Sequence, residues 1–403
     1  MKKLLILLLL FTLLCACEPI SDIDESSEGT LIEQSDESST LTSDASGGVN
    51  EPSVDSSVDS SEESSEEIPL TFGQEMAKSL ALDMQVGQLF LAAFPDTNAL
   101  SYAKNYHLGG YILFGREFKN SSPEAIRETL NDLQENSDIP MLFAVDEEGG
   151  TVCRVSGYPQ FRSERFLSPR SLFQKGGLDL VLTTEGEKCD LLSSLGINVN
   201  MAPVCDVTTD KGAFMYKRSI GLDAEATAEF IKGACEIYSQ KQVGSVLKHF
   251  PGYGNNKDTH VGIAIDERPI AELEANDLIP FQAGIDAGCG AILVSHTYVN
   301  CLDSEYPASL SPRVHTYLRE EMGFNGVIVT DDLTMRAITD EYGVGESAVL
   351  AVLAGNDLIC CTKFDVMYDA IIEAVNSGRI DKAVIEQACA RVLDWKHSLG
   401  LIK

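Results

Sequence analysis

From Met76 onward the chain alternates eight short apolar, β-rich runs with longer helical patterns, and this alternation restricts the fold more than any other feature. The runs are Gln88–Phe94, Gly110–Phe114, Met141–Asp146, Asn198–Pro203, Ser245–His249, Ala291–His296, Val327–Asp331 and Asp357–Cys360. Helical patterns lie between them at Pro123–Glu135, Asp179–Leu195, Ala224–Gln240, Ile270–Ala287, Pro312–Glu321 and Val344–Ala354, and Phe364–Asn376 and Lys382–Ser398 close the chain. Apolar strands separated by amphipathic helices pack as a parallel sheet covered on both faces. Eight such units predict an α/β fold of the (β/α)8 TIM-barrel type. A doubly wound open sheet is the alternative, but no GxGxxG follows the first run and no Walker A motif is present.

A barrel places functional residues at the C-terminal ends of its strands and in the loops that follow. Here the third run ends at Asp146, the fifth at Lys248-His249, the sixth at His296 and the seventh at Asp331. Polar groups terminate four apolar strands at the same end, which marks that end as the candidate site.

The N-terminus reads as a separate device. Met1-Lys2-Lys3 precedes an apolar run from Leu4 to Leu14, the pattern of an export signal and too short to span a bilayer, which takes roughly 20 residues. The Leu14-Cys15-Ala16-Cys17 stretch resembles a bacterial lipobox, and Cys17, preceded by the small Ala16, is the expected lipid-bearing residue. Residues 18–68 hold 16 Asp or Glu and 15 Ser, with no Lys, Arg or aromatic residue. Such a segment has too little apolar surface to offset the entropy of ordering and is expected to form an extended tether. The expected organisation is therefore a signal peptide over 1–16, a lipidated Cys17 with an acidic linker over 17–68, and a TIM-barrel domain over 69–403. The expected location is the extracytoplasmic face of the cell membrane. The tether carries 16 of the 32 net negative charges, so the acidity says little about the domain's ligand, and no basic patch for nucleic acid is evident. Nine further cysteines are scattered without CxxC pairs, mostly inside apolar runs, and read as buried free thiols.

The densest chemistry lies in Lys248-His249-Phe250-Pro251-Gly252-Tyr253-Gly254-Asn255-Asn256-Lys257-Asp258-Thr259-His260, which starts at a strand end and enters a Gly- and Pro-rich loop. Asp258 and His260 can meet in a turn. A carboxylate beside an imidazole fixes its tautomer and raises its pKa, which suits proton transfer near neutrality. A metal site of His249, Asp258 and His260 and a structural Asp–His hydrogen bond are the other readings of these residues.

This stretch resembles the signature of bacterial β-N-acetylglucosaminidases of glycoside hydrolase family 3. Asp146-Glu147-Glu148-Gly149-Gly150-Thr151-Val152-Cys153-Arg154, Lys217-Arg218-Ser219-Ile220-Gly221-Leu222-Asp223 and Gly326-Val327-Ile328-Val329-Thr330-Asp331-Asp332-Leu333-Thr334-Met335 are similar to further segments of that family. The resemblance implies Asp331 as nucleophile and His260, supported by Asp258, as acid/base. It implies Asp146, Arg154, Arg218, Lys248 and His249 as sugar-binding residues, and no metal or organic cofactor. His296, at a strand end, is expected to face the pocket, with substrate contact or packing as its role. Asp332 competes with Asp331, but strand alternation turns it elsewhere, and no phosphate-cradling loop supports a Mg²⁺ site at the pair. Glu147, Cys153 and Tyr253 depart from the family's usual Gln, polar residue and His. The implied reaction is a double displacement that removes non-reducing terminal N-acetylglucosamine from peptidoglycan fragments or chitooligosaccharides. The expected partners are that carbohydrate and, through the anchor, the membrane, with a monomer as the default state. The alternatives are a β-glucosidase or β-xylosidase of the same family, a glycoside phosphorylase, and a sugar-binding lipoprotein. The glucosidase relatives take their acid/base from a second domain, which this sequence is expected to lack.

Overall fold

The computed structural model describes residues 69–254 and 264–403. The expectations for Cys17, for the tether, and for Asp258 and His260 fall outside these residues.

Eight strands form one parallel sheet: β1 (Phe90–Ala93), β2 (Gly110–Leu113), β3 (Leu142–Val145), β4 (Val199–Asn200), β5 (Gly244–Phe250), β6 (Ala291–Val294), β7 (Val327–Thr330) and β8 (Ile359–Cys361). Their order is β7-β6-β5-β4-β3-β2-β1-β8. The ends of this sheet meet, because Val329 bridges Leu358, Thr330 N–H donates to the Leu358 carbonyl (3.1 Å) and Leu358 N–H to that of Ile328 (3.1 Å). The result is an eight-stranded α/β barrel, as the sequence pattern predicts. β4 is shorter than the expected Asn198–Pro203, because Pro203 has no N–H and the Ala202 N–H turns back to the Asn200 carbonyl (2.8 Å).

Side chains alternate along each strand. Leu91, Ala93, Leu142, Ala144, Ala291, Leu293, Val327 and Val329 fill the barrel interior. Phe90, Ala92, Phe143 and Val145 pack outward in one mantle of helices, and Ile292, Val294 and Ile328 in another. Each fully buried aliphatic side chain contributes about 1.5–3 kcal/mol, so both layers are needed. Continued one step past the strands, the same alternation directs Asp146 and Asp331 inward and Asp332 outward.

Trp395, from the last helix, belongs to the interior cluster and closes the floor of the barrel. It lies so close to Gly244 and Gly290 that a Cβ there would come within 2.7 Å and 2.1 Å of its indole. The first described helix, Phe72–Ser79, docks on this last helix through Asp394, which accepts from Thr71 Oγ1 (2.7 Å) and Gly73 N–H (2.6 Å).

The helices Ala224–Gln240, Val344–Ala354, Phe364–Asn376 and Lys382–Ser398 have the expected bounds. The helix expected at Pro123–Glu135 runs one residue further, Pro123–Asn136, and three others differ more. The pattern over Ile270–Ala287 is broken into Ile270–Ala275 and Leu278–Asp286, where Asp277 turns to receive Arg268 (2.6 Å). The pattern at Asp179–Leu195 belongs to a longer helix, Pro169–Ser194, bent at Gly176 and Gly177. Pro312–Glu321 ends in a π-helical turn from Tyr317. All nine cysteines among the described residues are free thiols, seven of them buried, with Cys153 half-buried and Cys301 exposed. No described helix is long and apolar enough to cross a membrane.

Candidate active site

The end of β3 is fixed from behind. Gly149 and Gly150 have positive φ (99° and 66°), and a Cβ on Gly149 would sit 2.3 Å from the Leu167 carbonyl oxygen. Only glycine meets both conditions without strain. The buried carboxylate of Glu147 accepts from Val155 N–H (2.7 Å), Ser156 N–H (3.3 Å) and the Ser156 hydroxyl. Behind it, Lys188 Nζ donates to the Glu148 carbonyl (2.7 Å) and to Glu185 (2.7 Å), and Tyr238 OH donates to the other oxygen of Glu185 (3.0 Å). Asn200 joins Tyr238 OH (2.7 Å) to the Glu147 carbonyl (3.2 Å). Every buried polar group named here is paired, which makes the strand end rigid.

On this base stands a cluster of charged side chains. Lys248, from β5, lies 2.7 Å from Asp146 Oδ1 and 2.7 Å from Glu148 Oε1. Arg218 grips Glu148 with Nη2 (2.6 Å) and Nε (2.9 Å), a bidentate pair. Burial alone would raise the pKa of Glu148, but Lys248 and Arg218 outweigh it and hold the carboxyl well below its usual range. Burial likewise disfavours the Lys248 ammonium, yet Asp146 and Glu148 keep it above its ordinary value. Arg154 approaches Asp146 Oδ2 at 3.7 Å, and its Nε has no partner among the described residues.

His249 is locked in one tautomer. Its Nε2 is 3.0 Å from Arg218 Nη2, and a guanidinium only donates, so Nε2 accepts. Nδ1 therefore carries the hydrogen and donates to Asp206 Oδ2 (2.8 Å). Asp206 also takes the backbone N–H groups of His249 (3.2 Å) and Tyr253 (2.8 Å), and the Tyr253 ring meets the imidazole edge-to-face at 5.2 Å.

At the end of β7 the Asp331 N–H donates to the Val294 carbonyl (3.1 Å), and Asp331 Oδ1 accepts the N–H of Asp332 (2.8 Å). Asp332 turns outward, where its carboxylate accepts from Thr334 N–H (2.8 Å) and the Thr334 hydroxyl. Burial raises its pKa, opposed by the Thr334 hydrogen bonds.

His296 corrects the expectation of a pocket-facing side chain. It continues the outward series Ile292, Val294, and it is 1% exposed. Nδ1 is 2.7 Å from Ser309 Oγ and Nε2 is 3.0 Å from the Asp332 carbonyl, so neither nitrogen is left for a sugar.

The loop that leaves β5 is clamped at its root. Gly252 and Gly254 have positive φ, and a Cβ on either would collide with Asp277 or with the Arg268 guanidinium. Arg268 pairs with both Asp266 (2.7 Å) and Asp277 (2.6 Å), and Ala264–Asp266 runs parallel to Thr297–Val299. Asp258 and His260 themselves lie outside the described residues. Among the described residues no three His, Cys, Asp or Glu side chains gather as a metal-binding group.

The structure thus brings Asp146, Arg154, Arg218, Lys248 and His249 into one cluster and sends Asp331 toward the same mouth. Sequence reading missed two members. Glu148, which couples Lys248 to Arg218, is masked by the more conspicuous Asp146 two residues before it. Asp206, which sets the His249 tautomer, lies beyond the end of β4, and its only signal is an acidic residue closing the apolar stretch Met201–Cys205.

Comparison with known proteins agrees with this fold. The family described as the glycosyl hydrolase family 3 N terminal domain matches residues 81–395. A protein named beta-hexosaminidase from Xylella fastidiosa (strain M23) is 32% identical over 303 residues, covering 73% of this chain and 88% of that protein. Among solved structures, a glycoside hydrolase family 3 β-N-acetylglucosaminidase from Paenibacillus sp. str. FPU-7 is similar with a TM-score of 0.74 and 32% identity. That match covers 80% of this chain and 63% of the Paenibacillus chain, less than two thirds of its length. A family 3 glycosyl hydrolase from Mycobacterium smegmatis str. MC2 155 is similar with a TM-score of 0.72 and 28% identity, covering 78% of this chain and 97% of that one.

Proposed function

The chain belongs to glycosyl hydrolase family 3, and from that premise we propose that it is a retaining exo-glycosidase releasing terminal β-linked N-acetylglucosamine, with Asp331 as nucleophile and His260, backed by Asp258, as acid/base. The observation that carries this reading is the place of Asp331 just past the end of β7, in the inward parity of Val327 and Val329, at the mouth where β3 and β5 bring Asp146 and Lys248 together.

In the first step Asp331 attacks the anomeric carbon as His260 gives its proton to the leaving oxygen. In the second, water enters, His260 takes its proton, and the glycosyl–Asp331 ester is cleaved with net retention. Asp332 N–H holds Asp331 Oδ1, so the carboxylate plane is set before substrate arrives. Asp146 accepts from paired sugar hydroxyls. Lys248 uses two of its three N–H groups on Asp146 and Glu148, and its third suits a ring oxygen substituent. Arg154 supplies further donors. The Glu148–Arg218–His249–Asp206 chain keeps this cationic wall in place, and Arg218 and His249 complete the proposed sugar-binding set. The reaction calls for no metal or organic cofactor.

The proposed substrates are muropeptide fragments and chitooligosaccharides, met outside the cell by a protein tethered to the membrane through Cys17. The test is release of 4-nitrophenol by the full chain from its β-N-acetylglucosaminide and its β-glucoside. Turnover of the acetamido sugar alone, in an activity that sediments with membranes from cells making the whole protein, is the expected result. Equal turnover of both sugars, or of neither, would reject this specificity, and a soluble activity would reject the anchor.

A further inference from the structure

His296 and Ser309 tie the turn that carries Asp331 to the outer wall of the barrel. His296 is enclosed on all sides, and Ser309 is fully buried beside it. The carbonyl oxygen of Asp332 can only accept, so the hydrogen of the imidazole sits on Nε2 and points at that oxygen (3.0 Å). The Ser309 hydroxyl meets Nδ1 at 2.7 Å. Ser309 is itself immobilised: its N–H donates to the Ser295 carbonyl (3.0 Å), and its own carbonyl accepts from Asn356 Nδ2 (2.8 Å).

Asp332 is held at its N–H, its carbonyl and its carboxylate Oδ1. Its N–H points to Asp331 Oδ1 (2.8 Å), its carbonyl accepts from Met335 N–H (3.0 Å) as well as from His296, and its carboxylate caps Thr334. Among the described residues, His296 is the one side chain outside 331–335 that hydrogen-bonds the Asp332 backbone.

We propose that His296, braced by Ser309, is a positioning residue for the Asp331 carboxylate: it pins Asp332 from the carbonyl side and so keeps the Asp332 N–H aimed at Asp331 Oδ1. This rests on the reading of Asp331 as nucleophile. An attacking oxygen displaced by even 1 Å can lose about 10²-fold in rate, and here the displacement would leave the sugar contacts of Asp146, Arg154 and Lys248 untouched.

The test uses the full chain and 4-nitrophenyl β-N-acetylglucosaminide with the variants His296→Leu, His296→Gln and Ser309→Ala. In His296→Leu, kcat should fall roughly 10- to 100-fold with KM changed less than about threefold. His296→Gln, whose amide N–H can reach the same carbonyl, should recover most of that loss, and Ser309→Ala should fall between Gln and Leu. Thermal midpoints are measured in parallel, and rates are compared well below them. A wild-type kcat in folded His296→Leu, a loss carried by KM, or a Gln variant as slow as the Leu variant would overturn the proposal. Should His296→Leu not fold, the ordering of kcat among wild type, Ser309→Ala and His296→Gln decides: all three equal overturns it. Asp331→Ala separates the two claims. If it keeps the wild-type kcat, the functional reading fails and this proposal with it; if it is inactive while His296→Leu is fully active, only this proposal fails.

Discussion

The two ends of the barrel bury charge in opposite ways. At the mouth, Asp146, Glu148, Lys248 and Arg218 lie within 2.7 Å of oppositely charged partners, and these partners hold Glu148, Lys248 and Arg218 in their ionised forms. At the floor, Lys396 is fully buried on the last helix, and its ammonium donates to the neutral Gln88 Oε1 (2.6 Å) with no carboxylate among the described residues in salt-bridge range. Burial pulls its pKa down to about 7. The lesson is that burial alone does not decide whether a group stays charged. Partners do, and the mouth supplies them where the chemistry needs fixed charges, while the floor leaves a lysine able to give up its proton.

Three substitutions probe this contrast. The largest effect belongs to the mouth: Asp331→Ala should lower kcat by at least about 10⁴-fold, because it removes the reacting group itself. Retained activity would transfer the nucleophile's role to another carboxylate. Next, Glu148→Ala strips Lys248 and Arg218 of their shared counter-ion and should cost about 3–5 kcal/mol in urea unfolding. The folded pKa of Glu148 is below its ordinary value of 4.5, so its contribution is complete above that value and is lost as pH falls beneath it. A variant with an unchanged acid-unfolding midpoint would show that the network is dispensable.

The smallest effect has the opposite sign. Unfolded, Lys396 titrates near 10.5, and folded near 7, so between those values the unfolded chain holds the extra proton. Stability should therefore rise with pH across that window, with the cost of Lys396 full below it and absent above it. Lys396→Met should stabilise the protein by roughly 1–4 kcal/mol at neutral pH, less the smaller cost of depriving Gln88 Oε1 of its donor, and should flatten the pH slope. A destabilised Met variant with the slope intact would break the contrast between floor and mouth.

Much of this was legible in the sequence because the barrel turns a one-dimensional regularity into a place. Strands announce themselves by apolar runs, and whatever polar residue follows a run lands at the mouth, as Asp146, Lys248 and Asp331 do. Alternation then separates Asp331 from Asp332. The same rule applied to β6 sends His296 outward, and the expectation failed there because strand-end position was weighed without parity. Glu185 and Lys188 were invisible for another reason. They stand three apart on a helix, the spacing of an ordinary solvent-exposed pair, and only the packing of that helix against β3 buries them. Asp206 and Glu148 act on other side chains, and a residue whose partner is distant in the chain leaves little local trace.

Trp395 is the chain's single tryptophan, and it fills the floor between Gly244 and Gly290. All indole emission from this protein therefore reports one spot, where the last helix meets the bases of β5 and β6. A red shift on adding denaturant would time the parting of that helix from the barrel, free of any signal from the mouth. Sugar binding at the opposite end should leave the emission maximum where it was, so fluorescence and turnover read the two ends of the molecule separately.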